Sequence, residues 1–224
     1  MVTTRVVAIV SEKGGVGKTT VTTNLGVAAH LAGLDVAIVD LDPQTNAADW
    51  FDERGPGSLP EAVAIQPNRL KRFLNDLRAN GTELVLIDTP REAGNAGYVA
   101  AENADFVLVP YKRGGHDLRA LDRTLNMCRL AGKRPFLVLN YIRPGATRVE
   151  ADARESVAGK DCEVAPVVLH EWTAYDTTSI TARTSQETDP GGPVAKEIEA
   201  LYVWLAGQLG LPTTPQSNKP AAAA

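Results

Sequence analysis

Two lysines, Lys13 and Lys18, bracket a glycine-rich run in "VSEKGGVGKTT" (Val10 to Thr20), and two hydroxyl residues, Thr19 and Thr20, follow the second lysine. Glycines let backbone N–H groups wrap an anion, and a helix that starts at the end of such a run adds positive potential at the same point. The run follows an apolar segment of strand length, "RVVAIVS", and opens a helix-compatible one from Lys18 to Leu31, so the chemistry it indicates is phosphate binding. Gly14, Gly15, Val16 and Gly17 would form the backbone cradle, with glycine at position 14 permitting close approach. Lys18 would reach the β- and γ-phosphates of a nucleotide, the Thr19 hydroxyl would ligate Mg2+, and Thr20 would sit near the α-phosphate. The usual pattern G-x-x-x-x-G-K-[ST] wants glycine at position 12 and finds Glu12, with Lys13 beside it.

Three further apolar runs end in polar residues. "VDLDPQTNAADW" (Val39 to Trp50) puts Asp40 and Asp42 after a strand-like segment, where a carboxylate beside a phosphate loop can orient attacking water or a metal-bound water. Asp42 suits that task, and Asp40 suits support of the loop or of Mg2+. "LVLIDTP" (Leu84 to Pro90) has four apolar residues and then Asp88, the layout of a Walker B strand that approaches magnesium through water. The expected metal neighbours are therefore Thr19, Asp40 and Asp88. "FLVLNY" ends in Asn140. Taken singly, an Asp-Pro turn with a capping aspartate accounts for "DPQ", and a buried turn asparagine accounts for Asn140.

The elements that must position these residues alternate. Apolar runs begin at Arg5, Asp35, Glu83, Asp105, Pro135 and Glu163, and helix-compatible segments run over Lys18 to Leu31, Arg69 to Asn80, Asn95 to Glu102, Asp117 to Leu130, Thr147 to Ala158 and Pro193 to Leu209. Near-continuous Val/Ile/Leu runs suit strands covered on both faces, and their alternation with helices predicts an α/β fold: one domain, 1–210, with a mostly parallel central sheet flanked by helices. "DERGPGSLPEA" reads as a surface loop, and 211–224 as a flexible Pro/Ser/Ala tail. The 224 residues, 44% hydrophobic, suffice for one sizeable core. A net charge of −4 provides no global attraction for nucleic acid, so any such contact must come from a local patch. Cys128 and Cys162 have neither disulfide nor zinc-ligand spacing, which suits a reducing, cytoplasmic setting. No run approaches the ~20 apolar residues of a membrane span.

The misfit at Glu12 with "KGG" after it, followed by "DLDPQ" and "LIDTP", resembles the deviant Walker A ATPases of the ParA/MinD superfamily, and most closely the ParA type. The resemblance covers Arg5 to Leu209, specific in the front half and loose in the back. It implies a P-loop ATPase that uses ATP and Mg2+, dimerises when ATP-bound, and turns over slowly until a centromere-binding adaptor stimulates it. It also implies that Lys13 crosses the dimer interface to the partner's nucleotide, that Asp42 serves hydrolysis and switching, and that Asn140 binds the adenine amino group. Plasmid or chromosome partition through nonspecific DNA is the expected function, with cytoplasmic and nucleoid-associated location. A non-DNA cargo positioned by the same cycle is the alternative, and a fold-related biosynthetic ligase is the more distant one.

The chain departs from the family in continuing "DTP" with Arg91 and Glu92, where a second proline is common. For DNA contact the resemblance points to Arg119 and Arg123, four apart on one helix, and to Arg183. Glu187 and Asp189 lie near Arg183, and an ordinary solvated face explains the basic residues equally well. A membrane role of the MinD kind would need a basic amphipathic C-terminal helix, and "QSNKPAAAA" offers none.

Overall fold

Every apolar run becomes a strand, because each finds strands or helices on both sides to cover it. The computed structural model describes residues 3–91, 94–113 and 117–214. Seven strands, β1 (Arg5–Ile9), β2 (Val36–Asp40), β3 (Glu61–Ala64), β4 (Leu84–Asp88), β5 (Phe106–Tyr111), β6 (Phe136–Ile142) and β7 (Glu163–His170), form one sheet in the order β3-β2-β4-β1-β5-β6-β7. All six pairings are parallel. In β1 and β4, Val6, Ala8, Val85 and Ile87 face one layer while Val7, Ile9, Leu84 and Leu86 face the other. All eight are fully buried, which is why these strands read as unbroken apolar runs.

One layer holds α3 (Leu70–Asn80), α4 (Gly94–Asn103), α5 (Asp117–Leu130) and α6 (Thr147–Ser156), through residues such as Leu70, Ala101, Leu125 and Ala153. The other holds α1 (Lys18–Leu31), α2 (Asn46–Glu53) and α9 (Pro193–Leu209), through Leu25, Ala47 and Ile198. Two short helices, α7 (Ala174–Thr181) and α8 (Ser185–Thr188), precede α9. Helix α1 is covered on nearly every side, Thr22, Thr23 and Asn24 included, so it is the internal helix of its layer.

The segment read as a loop from 52 to 62 corrects in part. Its end enters β3, whose Glu61 lies opposite Ala37 and whose backbone continues to an Ile65 N–H bond to the Asp40 carbonyl at 3.0 Å. Only Ala62 of its four residues is buried, so the strand has almost no apolar signal of its own. The start of the expected tail is tied down as well: Tyr202 Oη donates to the Pro212 carbonyl at 2.6 Å, and Leu211 N–H to the Ala206 carbonyl at 2.9 Å. Residues 215–224 and Glu92 lie outside the described residues.

Candidate functional site

The run from Ser11 to Gly17 connects β1 to α1 at the carboxyl edge of the sheet. There β1 is flanked by β4 on one side and β5 on the other, the point at which connections leave in opposite directions and a crevice opens. Gly17 has φ +87°, and a Cβ there would meet Asn140 Nδ2 at 2.5 Å, so only glycine lets the loop close beneath β6. The loop is anchored at both ends. Thr89 Oγ1 donates to the Ile9 carbonyl at 2.8 Å, and Thr22 Oγ1 donates to the Lys18 carbonyl at 3.0 Å.

Lys18 is only 7% exposed, and its Nζ reaches the Lys13 carbonyl at a long 3.4 Å. Burial lowers its pKa, which Asp88 and Asp42 oppose and Arg91 reinforces. An ammonium so placed gains most from a strong anion. Thr19 Oγ1 donates to Asp88 Oδ2 at 2.6 Å, and Thr22 Oγ1 approaches Asp88 Oδ1 at 3.5 Å. Burial pushes the Asp88 carboxyl up to about 7, against the pull of the Thr19 bond and with a further push from Asp40.

Asp40 pairs in register with Asp88, yet its carboxylate turns to backbone. Oδ1 accepts the Asp42 N–H at 2.8 Å, and Oδ2 accepts Ala47 and Ala48 N–H groups at 2.9 and 3.3 Å, at the start of α2. Asp40 thus shapes the loop that carries Asp42 and caps the next helix. Asp42 itself is nearly buried and accepts the Gln44 N–H on Oδ1 at 2.9 Å. Asn140 donates from Nδ2 to the Val16 carbonyl at 2.8 Å and accepts Tyr141 N–H at 2.9 Å, so it pins the cradle to β6. Each of its polar atoms keeps capacity for one further bond.

Beside Asn140 lies a cavity of about 600 Å³, lined by Thr20, Tyr141, Leu169, Trp172 and Tyr175 among others. Its wall is set by Glu197 of α9, which accepts the His170 backbone N–H and Trp172 Nε1, both at 3.0 Å, and contacts His170 Nδ1 at 2.8 Å. The sequence reading missed Trp172, Tyr175 and Glu197. They sit in a loop, a short helix and the polar side of a core helix, and only the fold joins them.

Glu12 is also placed. Its Oε1 accepts the Gly94 N–H at 3.0 Å, at the start of α4, and its own N–H donates to Thr124 Oγ1 of α5 at 3.0 Å. Lys13 N–H donates to Ser11 Oγ at 3.2 Å. Arg119 and Arg123 are exposed on α5 in one layer. Arg183 precedes α8, which packs on α1 and α9 in the other, and it lies 3.4 Å from Glu187. The three arginines thus belong to opposite layers of one protomer. Cys128 and Cys162 are free and buried, and burial raises both thiol pKa values, that of Cys128 to about 12.

The site fits a nucleotide's phosphates with a divalent cation. A cradle that a Cβ would fill, a buried lysine with a long bond to a carbonyl, and a hydroxyl–carboxylate pair at 2.6 Å all converge at the start of α1. Fold and site together define a nucleotide-binding α/β protein of the phosphate-loop class. Residues 7–174 match the family described as "CobQ/CobB/MinD/ParA nucleotide binding domain", and the chain belongs to that family. As a member it is a nucleotide-binding ATPase of the ParA/MinD kind. The chain is 31% identical to the maintenance of carboxysome distribution protein A of Gloeobacter kilaueensis, over 92% of this chain and 94% of that one. It is similar in fold to the MinD cell division protein of Aquifex aeolicus, with TM-score 0.72, 21% identity, and coverage of 91% and 97%. It is also similar in fold to the cobyrinic acid a,c-diamide synthase of Mycobacterium smegmatis bound to ADP and magnesium, with TM-score 0.67, 17% identity, and coverage of 96% and 100%. No helix among the described residues is long and apolar enough to cross a membrane.

Proposed function

We propose that the protein is an ATP-driven dimerising switch that positions a cargo, in the manner of ParA. The observation that carries this reading is the second lysine: Lys13 directly precedes Gly14 at the start of the glycine run, while Lys18 at its end is buried with Nζ 3.4 Å from the Lys13 carbonyl. In this reading Lys18 serves the chain's own phosphates and Lys13 reaches a site across an interface.

In this reading Lys18 would hold the terminal phosphates, and Thr19 and Asp88, whose side chains meet at 2.6 Å, would hold Mg2+. The cation neutralises charge on the phosphates when bound. Asp42, presented by the loop that Asp40 shapes, orients the attacking water. Asn140 reads the adenine edge at the mouth of the 600 Å³ cavity. Lys13 from one protomer completes the other's site, a contribution worth about 10³ to 10⁵ in rate for comparable trans-acting cations. ATP joins two protomers and hydrolysis parts them.

The dimer would bind nonspecific DNA, with Arg119, Arg123 and Arg183 drawn from both protomers, and a centromere-binding adaptor would trigger release. DNA partition is the first reading of the cargo. A non-DNA body is the second, favoured by likeness over nearly the whole chain to a protein named for carboxysome distribution.

ATP turnover and retention on nonspecific DNA, measured for wild type and Lys13→Ala, test the switch. The expected result is DNA retention only with ATP, and loss of both retention and stimulated turnover in the variant. Retention independent of ATP, or an unaffected variant, would count against the switch.

A further inference from the structure

The residue after "DTP" is an arginine, and its side chain lies across the phosphate loop. A Cβ built on Gly14 would come within 2.9 Å of Arg91 Cδ, 3.2 Å of Cγ and 3.6 Å of Cβ, so the Arg91 stem covers the loop at the start of the cradle. Arg91 follows Asp88 by three residues at the end of β4. That end of the sheet holds Asp88 against Thr19, the hydroxyl adjoining Lys18, and so belongs to the terminal-phosphate side of the site.

Arg54, Arg113, Arg134, Arg143, Arg154 and Arg183 each lie against a carboxylate. Arg91 has no ion pair among the described residues. Other unpaired arginines, such as Arg119 and Arg123, stand on a solvated helix face. Arg91 differs because its stem lies against Gly14 of the phosphate loop. A phosphate bound in the cradle would attract the Lys18 ammonium and the Arg91 guanidinium alike. A guanidinium suits the task because its planar fork can bond two phosphate oxygens at once.

We propose that Arg91 is a phosphate-contacting residue of the chain's own site, where its guanidinium meets the γ-phosphate of ATP and sets the preference for triphosphate over diphosphate. This rests on nucleotide binding at the phosphate loop. The Gly14 contact positions the stem, and the site then has two cations from one chain, Lys18 below the terminal phosphates and Arg91 above them.

The test compares Arg91→Met, which keeps the stem on Gly14 without its charge, and Arg91→Lys, which keeps a charge without the fork. Affinities for a non-hydrolysable ATP analogue and for ADP are measured by fluorescence titration at protein concentrations below dimerisation, with thermal melting to verify the fold. The expected result is about tenfold or greater loss of analogue affinity in Arg91→Met, an ADP affinity within about twofold of wild type, and partial recovery in Arg91→Lys. Unchanged analogue affinity in Arg91→Met, or equal losses for both nucleotides, would overturn the proposal. If wild type bound neither nucleotide, or bound both as Lys18→Ala does, nucleotide binding at the loop would fail instead, and Arg91 with it.

Discussion

Lys18, Asp88 and Asn140 owe their chemistry to what surrounds them. A lysine at the start of a helix is ordinary, but one 7% exposed at a glycine loop is placed to hold an anion. Asn140 does two tasks in the same way: it holds the Val16 carbonyl and retains polar capacity at the cavity mouth. Asn140→Ala should therefore cut the preference for ATP over GTP by about tenfold or more, read from competition binding, since a hydrogen-bonding site rejects the wrong partner more sharply than an apolar one. Equal discrimination in the variant would place adenine recognition elsewhere. The loop residues were legible in the sequence because their types and spacing are local. Trp172, Tyr175 and Glu197 were not, because they meet only once β7 and α9 are packed together. Asp40 shows what the sequence left open: it suited support of the loop or of Mg2+, and its oxygens accept backbone N–H groups from Asp42, Ala47 and Ala48, the loop and the start of α2.

At the scale of elements, six of the seven strands and the long helices could be read from apolar runs, since each buries enough side chains to leave a periodic trace. Strand β3 and helix α2 could not. Each buries one residue, Ala62 or Ala47, and α2 takes its N-terminal cap from Asp40, seven and eight residues upstream of the N–H groups it holds. The turn after α2 depends on a contact that no local pattern reveals. Arg54 is bonded through both terminal nitrogens to Glu187 at 2.9 and 2.8 Å, and Glu187 also forms the capping box of α8 with Thr184. The Arg54 side chain is only 4% exposed, so Glu187→Ala would leave a buried guanidinium unpaired, at a cost of about 3 kcal/mol in urea unfolding. The Glu187 pKa is lowered: burial raises it, but the Arg54 and Thr184 hydrogen bonds and the Arg54 charge outweigh that. Its stabilising contribution is therefore complete above the ordinary carboxylate value and lost as pH falls through the depressed folded value. Acid titration of stability should be shallower in Glu187→Gln than in wild type, and an unchanged acid limb would show that the pair does not contribute it.

At the scale of the molecule, the all-parallel sheet collects every element of the site at one edge. β1 delivers the phosphate loop, β2 delivers Asp40 and Asp42, β4 delivers Asp88 and Arg91, and β6 delivers Asn140. That edge is where a second copy would meet the first, with Lys13 as the residue exchanged. The central claim is that ATP, and not ADP, joins two chains through this edge. The most direct measurement is molar mass in solution by light scattering for Asp42→Ala, which should bind ATP without consuming it, alone and combined with Lys13→Ala. The account predicts a dimer for Asp42→Ala in ATP, a monomer in ADP, and a monomer in both nucleotides once Lys13 is removed. A monomer for Asp42→Ala in saturating ATP, or a dimer indifferent to nucleotide and to Lys13, would contradict it.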